Sequence, residues 1–278
     1  MRANPIRCPG NCFSSPNRVK LVLLLAAAVL TIPSGAWAAE KPSGSEDTQA
    51  VIRDLQSPDA ATALKAAQAL QKQHALAKEM VPAITGAMKH SNEMVRLKVI
   101  EVLSELGPDA APAVSVLGEA LGDPDPMVRE AAAMALYVVG DSGTSQVGQL
   151  AKRLGDDNSR VRDAVIVTLV RFKDASAPVL VQALSDANPR VRDSAAEALG
   201  RIGAPVVPTL VAALGKGQPD EAKAAIKALA AIGEPAVDPL IELLVKNKGE
   251  TEQRAAEALT RIGAPAVPGL LKALKNKR

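Results

Sequence analysis

Two histidines are the side chains in this sequence best suited to proton transfer or metal binding. His74 follows the first helix of a predicted helical hairpin, and His90 follows the second. An antiparallel pair would hold them at opposite ends, about 18 Å apart for a helix of about twelve residues. Since one metal ion cannot bind both at that distance, we expect two residues at exposed helix ends and no shared metal site.

Arginine recurs once per repeating unit and gives the most regular polar pattern in the sequence. The arginines are Arg96, Arg129, Arg162 and Arg192. Each stands four residues after a helix-capping residue, and these caps are Asn92, Asp125, Asn158 and Asn188. Acids lie in the turns before the same helices, at Asp123, Asp156, Asp157 and Asp186. The arginines can be read as a stripe that binds anions, but we favour a structural ladder of charge-assisted hydrogen bonds between successive turns, in which their partners are Asp123, Asp157 and Asp186.

The apolar pattern indicates that helices position these residues. In VRDSAAEALGRIG (191–203), one helix face collects Val191, Ala195, Ala198, Leu199 and Ile202. Gly203 is expected to end this helix, and Pro205 to begin the next. The next helix is expected to bury Val207, Leu210, Val211 and Leu214. The phrase RIGAPVVPTLVAALGK (201–216) recurs in related form at 231–246 and 261–276, so the chain is built from repeated hairpins.

The capped helices start at intervals of 33, 33 and 30 residues, and two more units of 30 follow. One hairpin of this size buries too little apolar surface to stand alone, so hairpins must stack. We therefore predict an all-α fold, an α-solenoid of about seven helical hairpins over residues 48–278. The hairpins are predicted near 57–90, 91–123, 124–157, 158–186, 187–216, 217–246 and 247–278. A lone helix at 47–56 and a polar linker at 39–47 precede them. In the last two units Ala222 and Glu252 replace the arginine, so we assign it no role there.

The segments ALGDPDPMVREAAAMAL (120–136) and ALSDANPRVRDSAAEALGRIGAP (183–205) resemble HEAT repeats, and more narrowly the HEAT-like repeats named after phycobilisome lyases. The resemblance covers roughly residues 57–278. It implies an armadillo/HEAT-type superhelix, right-handed and curved, whose second helices line the concave face. Some relatives bind iron through His-Glu dipeptides, which this sequence lacks. Bilin lyase activity is not expected either, because the lyases handle a large tetrapyrrole and this chain offers almost no aromatic surface.

Residues 1–38 have the pattern of an export signal. Their basic residues are Arg2, Arg7, Arg18 and Lys20, and no acid is present. An apolar core at 21–32 leads to Ala36-Trp37-Ala38, a small-x-small cleavage pattern. The alternative is an uncleaved membrane anchor, but the apolar run is shorter than the roughly 20 residues that span a bilayer. We expect cleavage before Ala39, no membrane span afterwards, and a periplasmic or secreted protein.

Removal of residues 1–38 changes the charge balance of the chain and removes both of its cysteines. The signal contains four of the 33 basic and none of the 30 acidic residues, which leaves 29 against 30. This near-neutral balance gives no electrostatic case for a nucleic-acid partner. Both cysteines, Cys8 and Cys12, lie in the signal, so the remainder has no thiol nucleophile, disulfide or cysteine metal site. Tyr137 and Phe172 are its only aromatic residues. We predict no cofactor.

One outward-facing position of the predicted second helices varies from hairpin to hairpin. It lies two residues before the last apolar residue of each helix. The polar members of this second-helix row are Glu119, Lys152, Gln182, Glu242 and Lys272. The row is predicted to line the concave face and to contact a partner. The alternative is a solvated face whose charges only keep the groove soluble.

The C-terminus is basic. After Glu257, the last acid, come Lys272, Lys275, Lys277 and Arg278. These residues either form a polar cap on an exposed solenoid end or make weak contact with an anionic surface.

We predict a non-enzymatic scaffold outside the cytoplasm that binds a protein or peptide through the concave face. Solenoids offer extended surfaces of this kind, but a fold does not specify a function, so this step rests on the resemblance. Two alternatives stay open. One is an enzyme, or an accessory protein related to bilin lyases. The other is an envelope-structural or membrane-surface protein.

Overall fold

The fold is all-α, as predicted. The computed structural model describes residues 44–276, so the predicted signal and most of the predicted linker lie outside the described residues. Residues 44–276 form α-helices and 3₁₀ turns with no β-strand among them. The α-helices are α1 (Gly44–Leu55), α2 (Ala60–Gln71), α3 (His74–Glu79), α4 (Val81–Gly86), α5 (Glu93–Leu106), α6 (Val114–Ala120), α7 (Pro126–Val139), α8 (Val147–Ala151), α9 (Ser159–Arg171), α10 (Ala177–Ala183), α11 (Pro189–Ile202), α12 (Val207–Lys216), α13 (Pro219–Ile232), α14 (Val237–Lys246), α15 (Glu250–Ile262) and α16 (Val267–Asn276).

Helices α2 to α16 form seven hairpins, the predicted number. Their first helices are α2, α5, α7, α9, α11, α13 and α15. Their second helices are the α3–α4 pair, α6, α8, α10, α12, α14 and α16. Each first helix packs against the first helix of the next hairpin, so the hairpins stack in chain order.

The N-terminal end differs from the prediction in two details. Helix α1 begins at Gly44, three residues before the predicted start. The second helix of the first hairpin is interrupted at Met80. Pro82 lies in the first turn of α4 and has no N–H to donate, so the helical hydrogen bonds break there.

The predicted caps begin the first helices of four consecutive hairpins. The Asn92 side chain accepts a hydrogen bond from the backbone N–H two residues ahead at 2.9 Å, and Asp125 does the same at 2.8 Å. Asn158 and Asn188 make the equivalent bonds at 2.9 and 3.0 Å. Each bond satisfies a backbone donor that has no partner inside the helix, which fixes the helix start.

Glycine ends most first helices, and the chain then makes a 3₁₀ turn. Gly203 has φ of 87°, a region that L side chains rarely adopt. Pro205 lies in the 3₁₀ turn Ala204–Val206, and α12 begins only at Val207, so the prediction that Pro205 begins the second helix is wrong. In the fourth hairpin Lys173 occupies the position of Gly203 and adopts φ of 38°.

Small residues allow the first helices to pack closely. Ala132 and Ala133 on α7, like Ala195 and Ala196 on α11, are fully buried. At Gly200 an added Cβ would lie 2.7 Å from the Ala231 Cβ, so glycine is required where α11 meets α13. The core therefore runs continuously through the stack, and each hairpin depends on its neighbours for burial.

Candidate binding surfaces

Arg96 and Asp123 form one rung of the predicted ladder. Arg96 Nε and Nη2 each donate to one oxygen of the Asp123 carboxylate, both at 2.7 Å. Arg96 Nη1 donates to the carbonyl oxygens of His90 and Ser91 at 2.9 and 3.1 Å. The hydrogen bond with Asp123 raises the pKa of Arg96. This half-buried bidentate pair joins α5 to the turn before α7.

Asp156, rather than Asp157, forms the next rung. Arg129 Nε and Nη2 donate to the two carboxylate oxygens of Asp156, both at 2.9 Å. The Asp156 side chain is 4% exposed, whereas that of Asp157 is 96% exposed and pairs with Arg190 on the surface. The assignment of Asp157 to the ladder is therefore corrected to Asp156, because consecutive residues of this turn point in opposite directions.

The Asp156 carboxylate is held in its charged form. Burial by itself would raise the pKa of Asp156, but the hydrogen bonds from Arg129 and from the Asn158 backbone N–H outweigh burial and lower that pKa. The same carboxylate thus joins two hairpins and organises the capped turn that follows it, since its Oδ1 accepts from the Asn158 N–H at 3.0 Å.

Arg162 and Asp186 do not pair in the same way. Arg162 Nη1 donates to the carbonyl oxygens of Asp156 and Asp157 at 2.6 and 3.1 Å. No ion pair joins Arg162 to Asp186 within residues 44–276. Asp186 instead accepts the backbone N–H of Asn188 at 2.7 Å. At this junction Arg162 hydrogen-bonds to the turn before its own helix, α9, and Asp186 hydrogen-bonds within the turn before α11.

Two contacts near the C-terminus were missed by sequence reasoning. Arg192 pairs with Asp220 on α13 at 3.1 Å. Arg254 Nη1 donates to the carbonyl oxygens of Leu214 and Gly217 at 2.9 and 3.0 Å, which joins the last hairpin to the turn after α12. A signal for the first contact was present, because ladder acids follow their arginines by 27 residues and Asp220 follows Arg192 by 28.

The geometry of Arg129 favours a structural role over anion binding. A guanidinium has five N–H groups. Arg129 uses Nε and Nη2 for Asp156, and Nη1 for the carbonyl oxygens of Asp123 and Pro124 at 2.8 and 3.0 Å. The donors that an anion would need are largely occupied within the protein.

The ring nitrogens of His90 also contact backbone groups of turns. Its Nδ1 accepts the backbone N–H of Asn92 at 3.0 Å, and its Nε2 lies 3.1 Å from the carbonyl oxygen of Ser57. His90 thus occupies the position that Asp123 holds one hairpin later, and it contacts the preceding turn directly. His74 is the first residue of α3. The two histidines lie at opposite ends of the second helix of the first hairpin, as the sequence indicated.

All five polar members of the second-helix row are exposed. They are Glu119, Lys152, Gln182, Glu242 and Lys272. Glu242 forms an ion pair with Lys246 one turn along α14, and this pair lowers the pKa of Glu242. Their contact with a partner stays a prediction.

A second surface, which sequence reasoning missed, lies on the first helices. It is formed by the residues two, five, nine and twelve positions after each cap, which share one face of a helix. On α7 these are Met127, Glu130, Met134 and Tyr137. On α9 they are Arg160, Asp163, Val167 and Val170. Met127 is 54% exposed, and Met94, its equivalent on α5, is 51% exposed. We call this surface the first-helix face.

Two carboxylates of the first-helix face lie in unfavourable surroundings. Burial raises the pKa of Glu130, and the charge of Asp163 adds to that rise while Arg160 opposes it. Burial also raises the pKa of Asp163, to which the charge of Glu197 adds. Asp163 is nevertheless exposed to solvent.

The last helix exposes an apolar stripe. Val267, Leu271 and Leu274 of α16 are 50, 54 and 65% exposed. Lys272 and Lys275 are exposed on the same helix, while the other two basic residues of the C-terminus, Lys277 and Arg278, lie outside the described residues.

Comparison with known families identifies these hairpins. The family model described as HEAT repeats matches residues 48–137, 147–230 and 207–278. The chain belongs to the HEAT-repeat family. The matches span nearly all of this HEAT-repeat protein's described residues, so the repeat register seen in the sequence and the stacked hairpins of the structure describe one architecture.

Two solved structures resemble this HEAT-repeat protein. One is the complex of CpcE and CpcF of phycocyanin lyase from Nostoc sp. PCC7120, at 22% identity, 88% coverage of this chain, 99% coverage of that chain and a TM-score of 0.42. The other is human deoxyhypusine hydroxylase in complex with glycerol, at 18% identity, 78% and 96% coverage, and a TM-score of 0.30. No curated protein sequence matches this one.

Within residues 44–276, no single helix is long and apolar enough to cross a bilayer, although the bent pair Pro189–Ile202 and Ala204–Gly215 meets that test by length and composition.

Proposed function

We propose that this HEAT-repeat protein is an exported scaffold that binds a protein or peptide along the exposed faces of its stacked helices. The observation that supports this proposal is that equivalent positions of successive hairpins carry different exposed side chains on a common framework. A stack of this kind presents a long surface whose chemistry changes from one hairpin to the next.

A binding role is preferred to catalysis because the polar groups best suited to chemistry are engaged in structural contacts. Arg96 and Arg129 bind the carboxylates and carbonyls of turns, and His90 binds two backbone groups. Within residues 44–276, no three His, Cys, Asp or Glu side chains are grouped as metal ligands. The export pattern of residues 1–38 supports a location outside the cytoplasm.

Charge reversal in the second-helix row tests its part in binding. A photocrosslinking residue at Gln182 is expected to attach a reproducible partner in cells. The triple variant Glu119→Lys, Lys152→Glu and Glu242→Lys is expected to lower the crosslinking yield about tenfold, since complementary charges set partner choice. Helicity and the melting temperature should not change, because all three side chains are exposed.

The control for this variant is Lys89→Glu, Asp141→Lys and Asp174→Lys. These residues are exposed in 3₁₀ turns and are not members of the row, and the substitutions change the net charge by the same amount. The yield with the control should equal that of the unmodified protein. An equal yield with both triple variants would show that the row does not contact the partner.

A membrane-surface role is the second candidate, and helix α16 supports it. Its apolar stripe beside Lys272 and Lys275 is the pattern of a helix that lies on an anionic bilayer.

Vesicles rich in phosphatidylglycerol should bind the protein in a salt-sensitive manner. Leu271→Ser with Leu274→Ser is expected to weaken this binding more than about tenfold. Val245→Ser, at a 44% exposed position on α14, should have little effect. Vesicle binding that is unaffected by salt and by the leucine substitutions would argue against this role.

A further inference from the structure

The apolar stripe that α16 exposes is buried at the equivalent positions of the two preceding second helices. Val267 is 50% exposed, whereas Val207 on α12 and Val237 on α14 are 3 and 4% exposed. Leu271 is 54% exposed, whereas Ile241, thirty residues earlier, is 9% exposed. The stripe therefore has the composition of a surface that, inside the stack, is covered by another helix.

A following first helix covers the second helices next to α16. Helix α13 packs against α12, and α15 packs against α14. Helix α16 also covers α14, because a Cβ added at Gly269 would lie 2.7 Å from Val237 Cγ1 and 3.1 Å from Ile241 Cδ1. Within residues 44–276, no helix follows α16 to cover it in turn. Helix α16 therefore leaves uncovered a face of the kind against which a first helix packs.

The first helices near this end share an apolar motif, with Ala, Ala, Leu and Ile at positions i, i+3, i+4 and i+7 of one helix face. The motif residues are Ala195, Ala198, Leu199 and Ile202 on α11, Ala225, Ala228, Leu229 and Ile232 on α13, and Ala255, Ala258, Leu259 and Ile262 on α15. The alanines and leucines are buried in all three copies, and the isoleucines are buried or half-buried. A second copy of the chain therefore has none of these three motifs free to place on α16.

The spacing of the stripe fits one helix. Val267, Leu271 and Leu274 follow one another by four and three residues, which is the spacing of a coiled-coil seam. Leu270 and Ala273 lie on the neighbouring face of α16 and pack against the core. Such a seam is narrower than the apolar face with which an amphipathic helix packs onto a broad surface. This geometry favours a single partner helix over a bilayer.

The charges of α16 indicate how that helix is oriented. Lys272 and Lys275 are the only charged residues of α16, and both are exposed. Helix α15 has Glu250 and Glu252 in its first turn, and this turn lies at the end of α14 because only three residues join the two helices. A helix that covers α16 in the same orientation has its first turn beside Lys275, and acids are favoured in a first turn.

We propose that Val267, Leu271 and Leu274 form a docking seam for an amphipathic helix of a partner protein. The partner helix has alanine, leucine and isoleucine at the motif spacing and acids in its first turn. It packs on α16 as α15 packs on α14, so that binding adds one helix to the stack. This proposal rests on the proposed scaffold function and names the partner's chemistry.

The probe is a fluorescent peptide of residues 249–263, with a hydrocarbon staple on the side away from the motif so that it is helical in solution. The protein without residues 1–38 should bind this peptide, and should not bind a stapled peptide with Leu259→Glu and Ile262→Glu. Leu271→Ser with Leu274→Ser in the protein is expected to weaken binding about tenfold or more, because the peptide buries both leucines. Fluorescence anisotropy gives the Kd, and circular dichroism checks the helicity of both peptides.

The matched control is Met94→Ser with Met127→Ser. It also removes two apolar side chains from the surface, and their exposures of 51 and 54% are close to those of the seam. This control should weaken peptide binding less than about twofold. Both double variants should keep the melting temperature of the unmodified protein, since all four side chains are at least half exposed.

Equal weakening by both double variants, equal binding of both peptides, or no binding of the motif peptide would overturn the proposal. A dimer of the protein alone that the leucine substitutions dissociate would assign the seam to a second copy instead. Vesicle binding that requires the leucines, without peptide binding, would assign it to a membrane. If any of these outcomes occurred while the Gln182 crosslink to a partner persisted, the scaffold function would stand and only the docking seam would be rejected.

Discussion

Asp156→Ala is expected to lower the free energy of unfolding by about 3 kcal/mol. The substitution leaves the Arg129 guanidinium, whose side chain is 15% exposed, without its counter-ion in the junction between two hairpins. It also removes the acceptor of the Asn158 backbone N–H. The measurement is urea unfolding followed by circular dichroism, compared between variant and unmodified protein.

Asp157→Ala is the matched control, because it deletes the same carboxylate one residue further along the same turn. Asp157 is 96% exposed, and its pair with Arg190 lies in solvent. The control should change the free energy of unfolding by less than about 0.5 kcal/mol. Equal losses from the two substitutions would show that the buried rung contributes no more than a surface pair.

The pH dependence provides an independent measure of the same rung. The pKa of Asp156 is lowered in the folded state, so its contribution is present above the unfolded value of about 4 and is lost as the pH falls through the folded value. The unmodified protein should therefore lose more stability on acidification below about pH 4 than the Asp156→Ala variant does. An identical acid profile for both proteins would contradict this assignment.

Leu214→Ala is expected to cost about 3 kcal/mol of unfolding free energy. Leu214 on α12 is fully buried within the stack, so its truncation leaves a cavity. Because each hairpin contacts only its neighbours, a weakened junction in the middle of the array also uncouples the hairpins on either side. The urea transition should broaden as well as shift to lower concentration.

Leu274→Ala is the control for this cavity. Leu274 stands sixty residues later at the equivalent position of α16, and it is 65% exposed. The same chemical change should cost less than about 0.5 kcal/mol there and leave the transition sharp. A comparable loss at both positions would mean that α16 is covered in solution, for instance by a second copy of the chain.

Local patterns were sufficient to predict the repeated helical hairpins. The caps Asn92, Asp125, Asn158 and Asn188 begin helices because a short polar side chain can bond to its own following turn. Gly203 ends α11 because only glycine adopts its backbone conformation without strain. Two details failed at prolines: Pro205 lies in the 3₁₀ turn before α12, and Pro82 interrupts the second helix of the first hairpin next to Met80.

The candidate surfaces were predicted less completely than the fold. The exposure of the second-helix row followed from its position opposite the buried residues of the same helix. The first-helix face was overlooked because Met127, Met134 and Tyr137 look like core residues in an apolar sequence. Met127 is exposed, whereas Met134 and Tyr137 are half-buried, and this difference depends on the packing of neighbouring first helices, which no single helix specifies.

The sequence by itself determined the repeating unit, its all-α character and the regular positions of its arginines, because these depend on contacts within a few residues along the chain. Only the tertiary structure decided that Arg129 binds Asp156 rather than Asp157, and that, within residues 44–276, Glu130 and Asp163 form no ion pair like those of Glu101 and Glu197. Those outcomes depend on whether side chains from two different hairpins point towards each other. The packing of whole helices sets those orientations, and the residues of one hairpin alone do not.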